Sequence, residues 1–213
     1  ARCPAMFWMS EHLCQIFIPT KMKSSDIKAK KSLGQNFLIN RGILDKIVSA
    51  AELKKDDTVL EVGPGTGNLT QKLSEKACRV VAIEKDRRLI EELGRNFKNT
   101  NVEIIEADIL KFNPESFGLQ PNSYKIVANI PYYITSNFLR TVLEEWPKPK
   151  LAVLTIQKEV AQRIMAKPPH MNLLALSVQF YAEPEIVSYV SRGSFRPIPK
   201  VDSAIIRLKP RRE

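Results

Sequence analysis

The chain has 213 residues with 33 basic and 23 acidic side chains, so its formal net charge at pH 7 is +10. Apolar residues make up 44% and charged residues 26%, which is typical of a globular chain rather than a disordered one. The mean hydropathy is −0.20, and no apolar run approaches the roughly 18 residues of a membrane span. These values argue against a membrane-spanning protein and predict no membrane partner.

Cysteine and histidine are sparse. The three cysteines, Cys3, Cys14 and Cys78, are an odd number without paired spacing, and His12 and His170 stand alone in the sequence. This pattern argues against a disulfide framework and against a zinc site. We therefore predict no metal and a reducing compartment, the cytoplasm.

The excess positive charge lies in two flanking segments. Residues 21–31 carry a net charge of +4 and residues 192–213 carry +5, whereas residues 32–191 carry only +1. Clustered lysine and arginine beside a nearly neutral body are typical of proteins that contact phosphates. The distribution predicts two nucleic-acid-binding arms.

The first twenty-one residues differ in character from the rest of the chain. Their apolar stretch is interrupted by Ser10, Glu11 and His12, which is unlike a signal peptide. Met22 begins a segment typical of a natural protein start. We predict that residues 1–27 form an N-terminal extension, non-native or flexible as far as Met22.

From residue 40 onward, helical and extended segments alternate. Helices are predicted around 43–51 (with Asn40 as N-cap), from 69, and over 87–97, 136–145, 159–166 and 173–182. Strands are predicted at 58–62, 79–83, 102–106, 124–128, 151–157, near 186, and at 203–209. The alternation predicts an α/β fold with a doubly wound, mostly parallel sheet, and the hairpin-like final pair predicts an antiparallel edge strand.

A glycine-rich turn follows the first long strand. Gly63, Gly65 and Gly67 form a G-x-G-x-G pattern, one residue shorter than the dinucleotide fingerprint. Glu61 precedes the turn, and a carboxylate there would repel a pyrophosphate. A cationic ligand without phosphates, such as S-adenosylmethionine, avoids that repulsion, although a tight βα turn with no ligand is the simpler alternative.

Two further acidic residues lie at the ends of the next two strands. Glu84 ends the second strand, where an acidic side chain in nucleotide-binding folds holds ribose hydroxyls. Asp108 follows the third strand and is suited to accept a hydrogen bond from an adenine amine. Three strand ends that meet at one cleft favour a cofactor site over a mere turn.

The fourth strand ends in residues 129–132 (NIPY). The exocyclic amine of a nucleobase is a poor nucleophile because its lone pair is delocalised into the ring. The Asn129 side-chain oxygen and the Ile130 carbonyl can accept hydrogen bonds from that amine and favour its tetrahedral form. Pro131 fixes the local backbone, and Tyr132 offers a ring on which an extruded base can stack. A strand-end turn with a packing tyrosine is the alternative.

Four ordered motifs indicate a family. Residues 34–38 (GQNFL), 61–67 (EVGPGTG), 129–132 (NIPY) and 195–204 (FRPIPKVDSA) resemble those of the ribosomal RNA adenine N6,N6-dimethyltransferase family. The resemblance implies a class I methyltransferase fold, S-adenosylmethionine as cofactor, and dimethylation of adjacent adenines in small-subunit rRNA during ribosome biogenesis. It also implies the small ribosomal subunit as partner, and we expect a monomer.

The resemblance also implies roles for individual residues. Cofactor contacts are implied for Asn36, Leu38, Gly63, Gly65, Gly67, Glu84, Asp108 and Asn129, and handling of the target base for Asn129, Pro131, Tyr132 and Phe195. From the residues alone, Phe195 is either a second stacking platform or an edge-strand packing aromatic. Residues 34–40 read alone indicate only a loop before a helix.

The resemblance covers about residues 28–209, which we expect to form the catalytic domain, with 210–213 as a basic tail. The family normally continues into a small helical domain, and we expect either that this sequence is truncated or that this member works without that domain. Two alternatives stay open: a large-subunit rRNA methyltransferase of the antibiotic-resistance type, and a non-catalytic RNA-binding assembly factor with the same fold.

Overall fold

The computed structural model describes residues 28–211. The predicted extension over residues 1–27, the proposed start at Met22 and the last two residues of the basic tail lie outside the described residues. Of the basic run at 21–31, only residues 28–31 are described.

Nine strands and six α-helices form the described fold. The strands are β1 (Phe37–Leu38), β2 (Thr58–Val62), β3 (Arg79–Glu84), β4 (Val102–Glu106), β5 (Tyr124–Asn129), β6 (Leu151–Gln157), β7 (Ala182–Val190), β8 (Phe195–Arg196) and β9 (Ser203–Pro210). The helices are α1 (Arg41–Ala50), α2 (Asn68–Ser74), α3 (Arg87–Asn96), α4 (Thr135–Arg140), α5 (Lys158–Ile164) and α6 (Leu173–Tyr181). The predicted helices and strands are therefore confirmed with small shifts at the ends, except that only the first part of the helix predicted over 136–145 is α-helical.

Local signals account for several of these boundaries. The Asn40 side chain accepts a hydrogen bond from the Ile43 N–H at 3.2 Å and caps α1, as predicted. The helix predicted over 136–145 divides into α4 and a π-helical turn at Thr141–Glu145. Sequence periodicity does not distinguish such a turn from an α-helix.

Seven strands form one sheet in the order β4-β3-β2-β5-β6-β9-β7. The first five run parallel, and β9 pairs antiparallel with both β6 and β7. The doubly wound, mostly parallel sheet with antiparallel pairing at one edge is confirmed. Strand β9 is antiparallel to the other six strands. It lies one position in from the edge of the sheet, and β7 forms the edge itself.

Helices cover both faces of the sheet. Helices α4, α5 and α6 pack on one face, where Phe138, Ile164 and Val178 belong to the largest buried cluster. Helices α1 and α2 pack on the opposite face, and α3 adds Leu89 and Leu93 in a smaller cluster beside β4. The two apolar layers hold the parallel strands in fixed register, so that their carboxyl ends form one rim.

A short ribbon outside the main sheet was not predicted. β1 and β8 pair antiparallel, with Leu38 opposite Phe195. The sequence indicated only a loop before α1, because two residues are too few to show a strand period. The ribbon brings the segment before α1 and the segment before β9 together beside the rim.

Candidate active site

The glycine turn lies between β2 and α2. Gly63, Gly65 and Gly67 all have positive φ, at 67°, 59° and 82°, a conformation that glycine adopts without strain. The Gly63 N–H donates to the Ile83 carbonyl at 3.0 Å, which ties the turn to the end of β3. The predicted turn is therefore present, and it forms one wall of a cleft.

The cleft lies at the carboxyl ends of the parallel strands. It is lined by nine of the predicted site residues, Asn36, Gly63, Gly65, Glu84, Asp108, Asn129, Pro131, Tyr132 and Phe195. Leu38 lines a smaller neighbouring cavity beneath the glycine turn, and Gly67 forms the start of α2. The strand ends thus bring most of the predicted set together.

Glu84 is held by backbone donors at the end of β3. Its Oε1 atom accepts from the N–H groups of Lys85 (2.8 Å) and Asp86 (2.9 Å), and Oε2 accepts from Gly65 (3.3 Å). Burial raises the pKa of Glu84, while these three hydrogen bonds act in the opposite direction. The side chain is only 7% exposed, so it is an oriented acceptor at the cleft wall.

Asp108, which follows the neighbouring strand β4, is paired with Lys85. Its Oδ2 atom lies 2.8 Å from the Lys85 ammonium, and Oδ1 accepts from the Leu110 N–H at 3.1 Å. The hydrogen bond from Lys85 lowers the pKa of Asp108. Asp108 is therefore ionised at neutral pH and presents a carboxylate acceptor to the cleft.

Asn129 ends β5 with its amide already oriented. The Nδ2 atom donates to the Asn36 carbonyl at 3.1 Å, and the Asn36 side chain in turn donates to the Gly34 carbonyl at 3.2 Å. Because the NH₂ group is used in this bond, Oδ1 is the atom left to accept from a ligand. The Ile130 N–H donates to the Thr155 carbonyl at 3.2 Å, which fixes the backbone after Asn129.

The two predicted stacking residues differ in accessibility. Tyr132 is partly exposed at the cleft, and its hydroxyl lies 2.8 Å from the Ser203 hydroxyl. Phe195 is only 1% exposed and packs in a cluster with Leu38 and Val190. A base can reach the Phe195 ring only after covering side chains move, so its role as a stacking platform stays a prediction.

Glu61 has an unexpected environment. Its carboxyl is 1% exposed, and within residues 28–211 its Oε2 atom has no hydrogen-bond partner. Burial, reinforced by the nearby Glu84, raises the pKa of Glu61 to about 8. The carboxyl is therefore mostly neutral at pH 7, and charge repulsion from Glu61 is a weaker argument against a pyrophosphate than the sequence suggested.

Sequence reasoning missed the contacts that hold residues 30–36 against the cleft. The buried Asp86 carboxylate accepts from Gln35 Nε2 at 3.0 Å and also pairs with Arg88 and Lys30. The hydrogen bond from Arg88 lowers the pKa of Asp86 strongly. An aspartate that begins a helix is a visible N-cap signal, but nothing in the sequence identifies Gln35, fifty-one positions earlier, as its partner.

Two kinds of feature are not found in the part of the chain that the structure describes. Within residues 28–211, no group of three histidine, cysteine, aspartate or glutamate side chains is placed to hold a metal ion. Helices long and apolar enough to cross a membrane are likewise missing from that part of the chain.

The sheet order, the glycine turn and the rim of strand-end residues define a class I methyltransferase domain. Among solved structures, a dimethyladenosine transferase from Plasmodium falciparum has a TM-score of 0.74 and 39% identity, covering 82% of this chain and 63% of its own. The 23S rRNA methyltransferase ErmE has a TM-score of 0.75 and 37% identity, covering 84% and 71%.

The ribosomal RNA adenine dimethylase family model matches residues 26–213, and the chain belongs to that family. A ribosomal RNA small subunit methyltransferase A from Dehalococcoides mccartyi is 51% identical over 188 residues, which are 88% of this chain. The chain spans about 65% of the length of that curated relative.

Proposed function

We propose that residues 28–209 form the catalytic domain of an S-adenosylmethionine-dependent rRNA adenine N6,N6-dimethyltransferase. The observation that carries the proposal is the orientation of Asn129. Its amide NH₂ is bound to the Asn36 carbonyl, so its oxygen is the acceptor available at a cleft bounded by Glu84 and Asp108. Membership of the family supports the same reaction.

The cleft residues fit S-adenosylmethionine. Glu84 would accept from the ribose hydroxyls and Asp108 from the adenine amine, because both present acceptor oxygens at adjacent strand ends. Gly63, Gly65 and Gly67 allow close approach of the ligand to the backbone, and Asn36, Leu38 and Asn129 would bound the end where the methyl group lies. When bound, the cofactor supplies an electrophilic methyl group.

The target base would be handled by the segment after β5. Asn129 Oδ1 and the Ile130 carbonyl would accept from the two N–H groups of the adenine amine, which makes its lone pair available for attack. Tyr132 would stack on the extruded base, and Pro131 fixes the turn between them. Phe195 would complete the base site after local movement. No strong base is needed, because the proton is lost to water after transfer.

The proposed substrate is small-subunit rRNA. The 51% identical relative is named a small subunit methyltransferase, whereas the large-subunit enzyme ErmE is 37% identical. We therefore place the large-subunit alternative second. The proposal includes the small ribosomal subunit as partner, a single copy of the chain, the cytoplasm as location and a role in ribosome biogenesis.

The test is transfer of tritiated methyl groups to small ribosomal subunits that lack dimethyladenosine, with large subunits as a parallel substrate. Labelled dimethyladenosine in small-subunit rRNA supports the proposal. Label in large-subunit rRNA would instead support the second candidate. Tight RNA binding with no transfer, while S-adenosylhomocysteine still binds, would favour a non-catalytic assembly factor and contradict the proposed reaction.

A further inference from the structure

The Tyr132 side chain is fixed at its far end. Its hydroxyl and the Ser203 hydroxyl lie 2.8 Å apart, although the two residues are 71 positions apart in sequence. Burial raises the pKa of Tyr132, so its hydroxyl is neutral. Either of the two hydroxyls can therefore donate a hydrogen bond to the other. A tyrosine held only by its Cα–Cβ bond can swing its ring at χ1, whereas in one also held at the hydroxyl the long axis of the ring is fixed.

Ser203 is a rigid anchor for that hydroxyl. It is the first residue of β9 and is completely buried. In the sheet it lies opposite Gln157 of β6 on one side and Val190 of β7 on the other. A residue paired on both sides in the interior of a sheet cannot shift without breaking two ladders.

The preceding residue, Asp202, holds the segment that carries Phe195. Its Oδ1 atom accepts from the Arg192 N–H at 3.0 Å, at the start of the short turn Arg192–Ser194 that leads directly into Phe195. The Asp202 carbonyl also accepts from the Lys158 N–H at 3.0 Å, which ties this residue to α5. Two adjacent residues therefore hold the two chain segments that bear Tyr132 and Phe195, two of the aromatic residues that line the cleft.

From this juxtaposition we infer that Asp202 and Ser203 are positioning residues that set the spacing and angle between Tyr132 and Phe195. The inference rests on the proposed function, because the two rings matter as a pair only if they enclose a base. Asp202 and Ser203 touch neither base nor cofactor in this role. They act through the hydroxyl of Tyr132 and through the backbone of the turn before Phe195.

A double-mutant cycle tests the hydroxyl pair. Ser203→Ala and Tyr132→Phe are each expected to slow single-turnover methylation about fivefold, the value of one neutral hydrogen bond. The double variant is expected to be no slower than either single variant, and affinity for S-adenosylhomocysteine is expected to be unchanged. Multiplicative losses in the double variant would overturn the inference.

A matched control separates positioning from general stability. Tyr124→Phe removes another buried tyrosine hydroxyl bond, the one donated to the Pro147 carbonyl at 2.6 Å at the start of the same strand β5. It is expected to lower the melting temperature without slowing transfer. For Asp202, Asp202→Asn keeps the acceptor and is expected to retain the rate that Asp202→Ala loses. Equal rates for those two variants would contradict the role of Asp202.

A second measurement needs no RNA. In protein with tyrosine labelled at Cζ, NMR is expected to show slow exchange of the Tyr132 hydroxyl proton with solvent and faster exchange in Ser203→Ala, with Tyr124 unchanged. Equally fast exchange in the unmodified chain and in Ser203→Ala would overturn the inference even if methylation is found. If the chain transfers no methyl group, the proposed function fails, and the exchange result still decides whether Ser203 holds Tyr132.

Discussion

At the scale of single residues, the orientation of Asn129 is the feature on which the proposed chemistry depends. Asn129→Ala is expected to reduce methyl transfer by about 100-fold or more, because two hydrogen bonds to the reacting amine depend on this residue and its turn. RNA binding is expected to be nearly unchanged, since phosphate contacts made elsewhere dominate affinity. The measurements are single-turnover methylation and filter binding.

The matched control for that substitution is Asn101→Ala. Asn101 donates to the Ser74 and Ala77 carbonyls at the opposite end of the sheet, so its removal costs stability and leaves the cleft intact. Its methylation rate is expected to equal that of the unmodified protein at a temperature where both are folded. If Asn129→Ala retains turnover within about tenfold, the residue does not activate the amine.

Glu61 gives a pH dependence of stability. The unfolded chain loses this proton near pH 4.5, whereas the folded chain keeps it to about pH 8. The folded state thus binds the extra proton between these values, and the free energy of unfolding falls as pH rises, by up to about 1.4 kcal/mol per pH unit. Glu61→Gln removes this loss of stability. The melting temperature of Glu61→Gln minus that of the unmodified protein is therefore expected to increase from pH 5 to pH 8.

The control for Glu61 is Glu91→Gln on the exposed surface of α3. The difference in melting temperature between Glu91→Gln and the unmodified protein is expected to stay constant across the same pH range. If Glu61→Gln behaves in the same way as the surface variant, the carboxyl is not neutral in the folded state.

At the scale of elements, the strand ends were predictable and the contacts between distant segments were not. The strand periods locate Gly63, Glu84, Asp108 and Asn129, and parallel strands place their carboxyl ends at one rim. The β1–β8 ribbon and the Gln35–Asp86 bond join residues far apart in sequence through one or two hydrogen bonds. Contacts of that size leave no periodic pattern to detect.

The glycine turn allows a test at the level of this element. A Cβ atom on Gly65 would lie 2.9 Å from the Phe37 ring, and its φ of 59° disfavours any side chain. Gly65→Ala is therefore expected to cost about 1–3 kcal/mol of stability and to weaken S-adenosylhomocysteine binding. Chemical denaturation and calorimetry measure the two effects.

Gly94→Ala is the matched control. Gly94 lies within α3, and an added Cβ would have no atom within 4 Å. Alanine there is expected to raise stability by about 0.5–1 kcal/mol, through helix propensity, with unchanged ligand affinity. Similar reductions of affinity in the two variants would show that the turn does not bound the ligand site.

At the scale of the whole molecule, the structure locates several of the clustered basic residues beside the cleft. Arg192, Arg196 and Lys200 precede β9 in the segment around Phe195, which lines the cleft. Lys28, Lys30 and Lys31 precede Gly34 in the segment that forms another wall. Residues 28–31 and 192–200 thus flank the cleft, an arrangement suited to phosphates on either side of one extruded base. The remaining described basic residues of the segment 192–213, Arg207, Lys209 and Arg211, lie on or after β9 toward the opposite end of the sheet.

This arrangement predicts a localised salt dependence of RNA binding. Binding of RNA weakens as salt rises, so the slope of log K against log salt is negative. Replacing both Lys28 and Lys31 by glutamine is expected to make this slope shallower by about one unit for each phosphate that the lysines no longer neutralise. Lys76→Gln with Lys98→Gln removes the same charge at the other end of the sheet, after α2 and α3. The second pair is expected to leave the slope unchanged, because distant charges are screened beyond about 8–10 Å. Equal slopes for the two double variants would mean that net charge, rather than its position beside the cleft, governs RNA affinity.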